Sequence, residues 1–375
     1  LDAAARRRYA RHLLLPEVGE PGQARLMAAR ALVIGAGGLG SVTATYLAAA
    51  GVGVIGIIDD DLVEESNLQR QVIHDTAAIG MPKVASAARR LQAINPSVQV
   101  TQHPVRLTAA NALEIIGGYD LVVDGADNFT TRYVVADACA LLSRPHVWGS
   151  ILRFDGQVSV WAPPAGPCYR CVFPQAPPAG SVASCAEAGV LGSLCAAIGA
   201  VQSTEAIKLI TGVGRPLIGR LLIHDALDAT WGEVPVRRNP ACRLCGPHAV
   251  ITEPEASAEV CRVPGPRHTA SELAVVLEQD PSVVLVDVRE PAEWAAGVLP
   301  GAILLPLAQV SELPVARDAR IVLYCAAGAR SAAGAERLRA AGFTDVADLD
   351  GGIRAWTGPL SAPAEGMGSA PPGRA

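Results

Sequence analysis

Cys168, Cys171, Cys242 and Cys245 stand as two Cys-x-x-Cys pairs in distant parts of the chain. At that spacing each pair can wrap one side of a metal ion with two thiolates, and two pairs complete a closed tetrahedral shell. The expected chemistry is a structural Zn²⁺ site. A thioredoxin-like redox pair is the rival reading, but two pairs bracketing one segment favour the metal. Cys325, in Cys-Ala-Ala-Gly-Ala-Arg-Ser, lies far downstream and suggests sulfur chemistry.

A second kind of chemistry is written near the start. Gly35, Gly37, Gly38 and Gly40 fit G-x-G-x-x-G, and Asp59 follows at about the twenty-residue distance of a dinucleotide fingerprint. Glycines let backbone N–H groups approach phosphate oxygens, and the following helix N-terminus adds partial positive charge. Taken alone, this loop suits a nicotinamide-dependent oxidoreductase equally well. Arg70, in the run Ser66-Asn67-Leu68-Gln69-Arg70-Gln71, and Lys83 place two cations nearby. Two cations suit a triphosphate better than a pyrophosphate, because more anionic charge must be neutralised. Asp127 and Asn128 then follow a strand at the sheet edge where open α/β sheets bind ligands, and an aspartate there could hold Mg²⁺. The bland reading of the pair is a helix N-cap.

The elements that must position these groups are legible from pattern. Residues 31–35 and 54–58 read as buried strands around a glycine turn and an Ala-rich helix, the βαβ unit of a parallel sheet. Strands are expected at 98–102, 121–124 and 145–148, with helices at 82–94 and 130–142. Near residues 153–160 a hairpin around Asp155-Gly156 should turn the sheet antiparallel. Residues 172–192 read as a mobile loop, and a helix over 194–210 is closed by Gly212. Further on, strands at 283–288 and 320–324 and a helix at 331–341 make a second α/β module.

The fold class is therefore α/β: a Rossmann-like sheet extended by antiparallel strands and a zinc site, plus a smaller C-terminal α/β domain. The domains are expected at 1–246 and 267–358, joined by a Pro-rich linker over 247–266, with a disordered tail over 359–375. Half of the 375 residues are hydrophobic and 18% charged, which excludes a disordered chain. The net charge of −5 without long runs argues against a nucleic-acid surface. No long apolar stretch and no signal-peptide core appear, so the expectation is a cytoplasmic protein with no membrane partner. Nine cysteines without a secretion signal favour metal and catalytic thiols over disulfides. Cys139 and Cys195 lie on apolar helix faces and read as core; Cys261, in the linker, carries no assigned role.

Arg-Tyr-x-Arg-His near the start, G-A-G-G-L-G, S-N-L-Q-R-Q, Lys83, Asp127-Asn128, C-Y-R-C and C-R-L-C occur in that order. The series resembles the MoeB/ThiF group of adenylyltransferases, which activate ubiquitin-like sulfur carriers. The resemblance spans about residues 6–245. It implies that Gly38, Asp59, Asn67, Arg70, Lys83, Asp127 and Asn128 contact ATP, with Asp127 as the Mg²⁺ ligand. It further implies that Arg11 reaches a neighbouring subunit's ATP site, which makes the active unit a homodimer. Without it, Arg11 reads as a surface arginine. Cys185 falls on the position of a loop cysteine that can bond covalently to the carrier or a sulfur donor; its other reading is an incidental thiol.

Val284–Glu290, Gly297-x-x-Pro300-Gly301 and Tyr324–Ser331 resemble a rhodanese domain over residues 267–357. Cys325 should leave a strand end and enter a tight loop before a helix. The loop N–H groups, the helix N-terminus and Arg330 would favour thiolate and persulfide anions. Many such domains carry Arg directly after the cysteine, where this chain has Ala326, so the sulfur source is open between thiosulfate and a cysteine-desulfurase persulfide. Joined, the halves imply adenylation of a carrier's C-terminal glycine, followed by sulfur transfer to give a thiocarboxylate. The alternatives are a nicotinamide-dependent oxidoreductase, or an adenylyltransferase with a non-catalytic rhodanese tail.

Overall fold

The computed structural model describes residues 1–177, 189–255 and 266–363. These fall into two compact units that divide after Glu255. Cys185 and Cys261 lie outside the described residues.

In the first unit, strands β1 (Arg30–Ile34), β2 (Val54–Ile58), β3 (Gln99–His103), β4 (Leu121–Asp124), β5 (His146–Leu152), β6 (Asp155–Trp161), β7 (Arg220–Asp225) and β8 (Thr230–Pro235) form one sheet. Its order is β3-β2-β1-β4-β5-β6-β7-β8. The first five strands are parallel and the last three antiparallel. Alternate residues of β1 feed two cores: Ala31 and Val33 join one cluster, Leu32 and Ile34 the other. That is the pattern of a parallel strand covered by helices on both faces. Chain direction along the sheet reverses between β1, which leads back to β2, and β4. Ligands bind outside the strand ends at such a point.

Three expectations need correction. The turn between β5 and β6 is Arg153-Phe154, not Asp155-Gly156; Leu152 pairs with Asp155 and Arg153 takes φ +54°. Asp155 and Gly156 therefore lie within β6, where Gly156 gives room to Ile198, which a Cβ would meet at 2.4 Å. Residues 247–255 of the expected linker pack on the first unit. Val250 and Ile251 both donate to the Arg243 carbonyl, and Ile251 is buried beside the cysteine cluster. Finally, the expected disordered tail begins too early: Ser361 exchanges two backbone hydrogen bonds with Val298.

The second unit carries the parallel sheet β11-β10-β12-β13-β9. Its strands are β9 (Arg267–His268), β10 (Val284–Asp287), β11 (Ile303–Leu304), β12 (Arg320–Tyr324) and β13 (Asp345–Leu349), and the helix Ala329–Ala340 follows β12. Among the described residues no helix is long and apolar enough to cross a membrane.

Candidate functional site: a glycine-turn cavity, a four-thiol cluster and a thiol loop

A cavity of ≈ 210 Å³ opens at the C-terminal ends of β1, β2 and β4. The glycine turn forms one wall. Gly40 is dictated by packing, since a Cβ there would lie 1.8 Å from the Gly35 carbonyl oxygen. Gly35 takes φ +82°, a conformation open to glycine. Between them the Ala36 peptide is fastened on both sides: its N–H donates to Asp59 Oδ2 at 2.8 Å, and its carbonyl accepts from His74 Nε2 at 3.0 Å. His74 Nδ1 in turn meets Ser86 Oγ at 2.9 Å. Burial lowers the His74 pKa, which keeps the ring neutral as a hinge pin for the loop. Burial also raises the Asp59 carboxyl, against the pull of Lys83.

The cavity brings together most of the residues singled out from sequence. Gly35, Gly37, Gly38, Asp59, Arg70, Lys83, Asp127 and Asn128 line it. Lys83 is buried at the start of its helix, with Nζ 2.8 Å from Asp61. Arg70 is steadied by the Ser66 carbonyl. Asn128 is the N-cap of the helix Phe129–Leu141, its Oδ1 accepting from Thr131 N. Asp127 lies just ahead of that cap. Gly40, Ser66, Asn67, Leu68 and Gln69 are not among the lining residues. Asn67 instead closes a capping box with Glu64, which shapes the turn that presents Arg70. Arg11 is exposed on the short helix Ala10–Leu13 and lines no part of this chain's cavity.

Sequence reasoning missed Arg132. It lines the cavity nearly buried, its Nε donates to the Ala126 carbonyl, and its guanidinium lies over the rings of Phe129 and Trp148. The available signal was its place one helical turn after Asn128, on the same face. Val105, Arg106 and Leu107 also line the cavity, from a loop with no motif. The donor set, four carboxylates at Asp59, Asp60, Asp61 and Asp127 beside several cations, fits a nucleotide polyphosphate with a hard divalent cation.

The sulfurs of Cys168, Cys171, Cys242 and Cys245 all lie within 4.8 Å of one another. Three separations are 3.7, 3.5 and 3.4 Å. A tetrahedron with Zn–S bonds of about 2.3 Å has edges of about 3.8 Å, so the cluster fits that ion with little adjustment. Hydrogen bonding between Cys168 and Cys171 raises the first thiol's pKa and draws the second down to about 5. Four sulfurs this close favour loss of protons to a cation. Gly246 is fixed by the same turn, because a Cβ there would meet the Cys242 carbonyl oxygen at 2.5 Å.

In the second unit Cys325 follows β12 directly and is fully buried. Its Sγ accepts from Gly328 N at 3.1 Å, and Ser331 Oγ lies 3.6 Å away. Arg330, expected to serve the sulfur anion, makes two charge-assisted hydrogen bonds to Glu293, at 2.6 and 2.8 Å. Burial pushes the Glu293 carboxyl up, but the Arg330 bond, the Glu290 N–H and nearby positive charge together hold it below its usual value. Glu293 therefore takes up much of the charge that Arg330 offers to the loop.

Comparison with known proteins decides the family. The ThiF family model matches residues 9–244, and the Rhodanese-like domain model matches residues 269–359. The chain belongs to the ThiF family. Its ThiF region is thus the unit with the glycine-loop cavity, followed by a rhodanese-like unit. A similar chain is the probable adenylyltransferase/sulfurtransferase MoeZ of Mycobacterium tuberculosis. It is 47% identical over 369 residues, which is 93% of this chain and 92% of that protein. A sulfur carrier protein adenylyltransferase of Thermus thermophilus is 54% identical over 244 residues, 64% of this chain and 90% of that protein. A crystal structure of E. coli MccB with MccA-N7isoASN superposes with TM-score 0.58 at 21% identity. It covers 64% of this chain and 74% of that chain, a likeness of fold alone.

Proposed function

We propose that this chain is an adenylyltransferase and sulfurtransferase acting on a ubiquitin-like sulfur-carrier protein. The observation that carries the reading is the convergence of the glycine turn, Arg70, Lys83, Arg132 and Asp127 on one cavity, in a chain that continues into a thiol loop of rhodanese type.

ATP enters as substrate with its phosphates along the glycine turn, where backbone N–H groups and the N-terminus of the helix Gly38–Ala50 receive anionic oxygens. Mg²⁺, held at Asp127 with Asp59 nearby, neutralises phosphate charge when bound. Arg70, Lys83 and Arg132 reduce the repulsion that otherwise keeps a carboxylate from an α-phosphate. The carrier's terminal carboxylate oxygen attacks that phosphorus, pyrophosphate leaves, and an acyl-adenylate remains. In the second stage the outer sulfur of a Cys325 persulfide attacks the acyl carbon and AMP leaves. Cys185, the assigned candidate thiol, attacks the Cys325 sulfur of the resulting acyl disulfide, the thiocarboxylate leaves, and the Cys185–Cys325 disulfide so formed is reduced by an external thiol. The persulfide comes from a cysteine desulfurase or from thiosulfate.

The active assembly in this reading is a homodimer, with Arg11 supplied to the partner's cavity. Zn²⁺ on the four-cysteine cluster is structural. The domains follow the functions: adenylation in the first unit, sulfur transfer in the second. The test is incubation with candidate carriers, ATP and a persulfide donor, followed by intact-mass analysis of the carrier. Replacement of one oxygen by sulfur, dependent on ATP and lost in Cys325→Ala, is expected. Full conversion by Cys325→Ala leaves adenylation standing and removes the relay.

A further inference from the structure

The thiol loop is held from behind by a glycine turn that the proposed chemistry leaves unassigned. Gly351 and Gly352 take φ +70° and +61°, and the short helical turn Gly352–Ala355 follows. Ile353 N donates to the Cys325 carbonyl at 2.7 Å, and Arg354 N to the Ala326 carbonyl at 3.3 Å. Both carbonyls of the loop's first two peptides thus face this turn. In a planar trans peptide the N–H points opposite to the C=O. Engaging the carbonyls of Cys325 and Ala326 therefore directs the N–H groups of Ala326 and Ala327 away from the turn, while Gly328 N already contacts Sγ at 3.1 Å.

Contact this close leaves no room for a side chain. A Cβ on Gly352 would lie 2.4 Å from the Cys325 carbonyl oxygen and 2.7 Å from both Ala326 C and Ala327 N. All three are backbone atoms, so relief would require moving the loop itself.

We infer that Gly352 and the Ile353 N–H are positioning groups for sulfur transfer, setting the loop's peptide planes so that its N–H groups converge on an anionic sulfur. This rests on the assignment of Cys325 as sulfur carrier. With a low-molecular-weight persulfide as donor, the Cys325 thiolate bonds to the outer sulfur, the donor S–S bond breaks, and the donor thiolate leaves with the electron pair. Cyanide then removes the outer sulfur as thiocyanate and restores the thiolate. Negative charge stays at the loop throughout, so oriented N–H donors act on the turnover step.

The test uses the full chain and thiocyanate formation. Gly352→Ala and Ile353→Pro should each lower kcat about tenfold or more with little change in KM for the donor, as expected for misdirected oxyanion-hole-type donors. Proline removes the N–H at 353; Ile353→Ala keeps it and serves as the rescue control, with kcat near wild type. Gly342→Ala, a positive-φ glycine with open space around it, controls for backbone strain and should leave turnover unchanged. If Gly352→Ala fails to fold, the Ile353 pair decides. Wild-type turnover in Ile353→Pro, or an equal loss in Ile353→Ala, overturns the inference. Full turnover in Cys325→Ser would instead overturn the assignment of the sulfur carrier beneath it.

Discussion

Asp124 and His146, two positions out of register on the adjacent parallel strands β4 and β5, share a hydrogen bond of 2.9 Å with both side chains buried. The other carboxylate oxygen of Asp124 accepts from Ala126 N, and the Asp124 carbonyl accepts from Gln202 Nε2 at 2.8 Å. One buried carboxylate thus ties the last residue of β4 to the turn that presents Asp127 to the cavity. His146→Ala leaves one oxygen of this buried carboxylate without its ring partner, an expected cost of about 1–3 kcal/mol. Urea unfolding measures that loss. Carrier-dependent pyrophosphate–ATP exchange should fall with it, more steeply at low Mg²⁺ than at saturating Mg²⁺.

Asp127→Ala is expected to abolish carrier-dependent pyrophosphate–ATP exchange without unfolding the chain, because Asp127 is exposed beside the cap rather than in the core. Lys83→Ala should reduce exchange by about a hundredfold, the usual scale for removing one charge-stabilising donor from a transition state. Unchanged exchange in Asp127→Ala removes that residue from the mechanism.

Metal analysis should find one zinc per chain, lost on Cys168→Ser or Cys242→Ser. Metal loss should also unsettle the adenylating unit, because Arg170, inside the first Cys-x-x-Cys turn, forms a buried bidentate pair with Asp137 on the helix Phe129–Leu141. The same helix carries Asn128 as its cap. Chelation should therefore lower the thermal midpoint of the first unit, measured by scanning calorimetry. A midpoint indifferent to chelation contradicts a structural ion.

Asp348 predicts a pH dependence in the second unit. Burial, with Oδ2 lacking a hydrogen-bond partner among the described residues, raises its pKa to about 6 despite the pull of Arg267 and Arg339. The folded state therefore holds a proton between roughly pH 4 and 6 that the unfolded chain has released, and stability falls as pH rises through that window. The unfolding transition of this unit should lie higher at pH 5 than at pH 7.5. Asp348→Asn, which cannot ionise, should flatten the difference.

Much of the site was legible before any coordinates. That the glycine turn, Lys83, Asp127 and Asn128 meet at one cavity is legible because each sits at a strand end or helix start whose hydrophobic period marks the element; Arg70 stands in a turn and is legible by its charge alone. The antiparallel extension is legible too, but its turn lies two residues before the Asp-Gly pair. Asp-Gly is the stronger local turn signal, yet Gly156 serves packing against Ile198 instead. The linker is shorter than its proline content suggests for a similar reason: Ile251 and Glu255 are held by partners remote in sequence.

By itself the sequence determined the chemistry available: thiols at metal spacing, a phosphate turn, and a cysteine opening a loop. These are short-range facts, since two or three residues of separation fix what a turn or a helix start can present. Only the tertiary structure decided which groups support that chemistry. Arg132 enters the cavity across aromatic rings, His74 pins Ala36, His146 secures Asp124, and Gly352 backs the Cys325 loop. The last three of these relations join positions from 22 to 38 residues apart. Chain spacing carries no record of such meetings; the sheet order and the packing of its two faces create them.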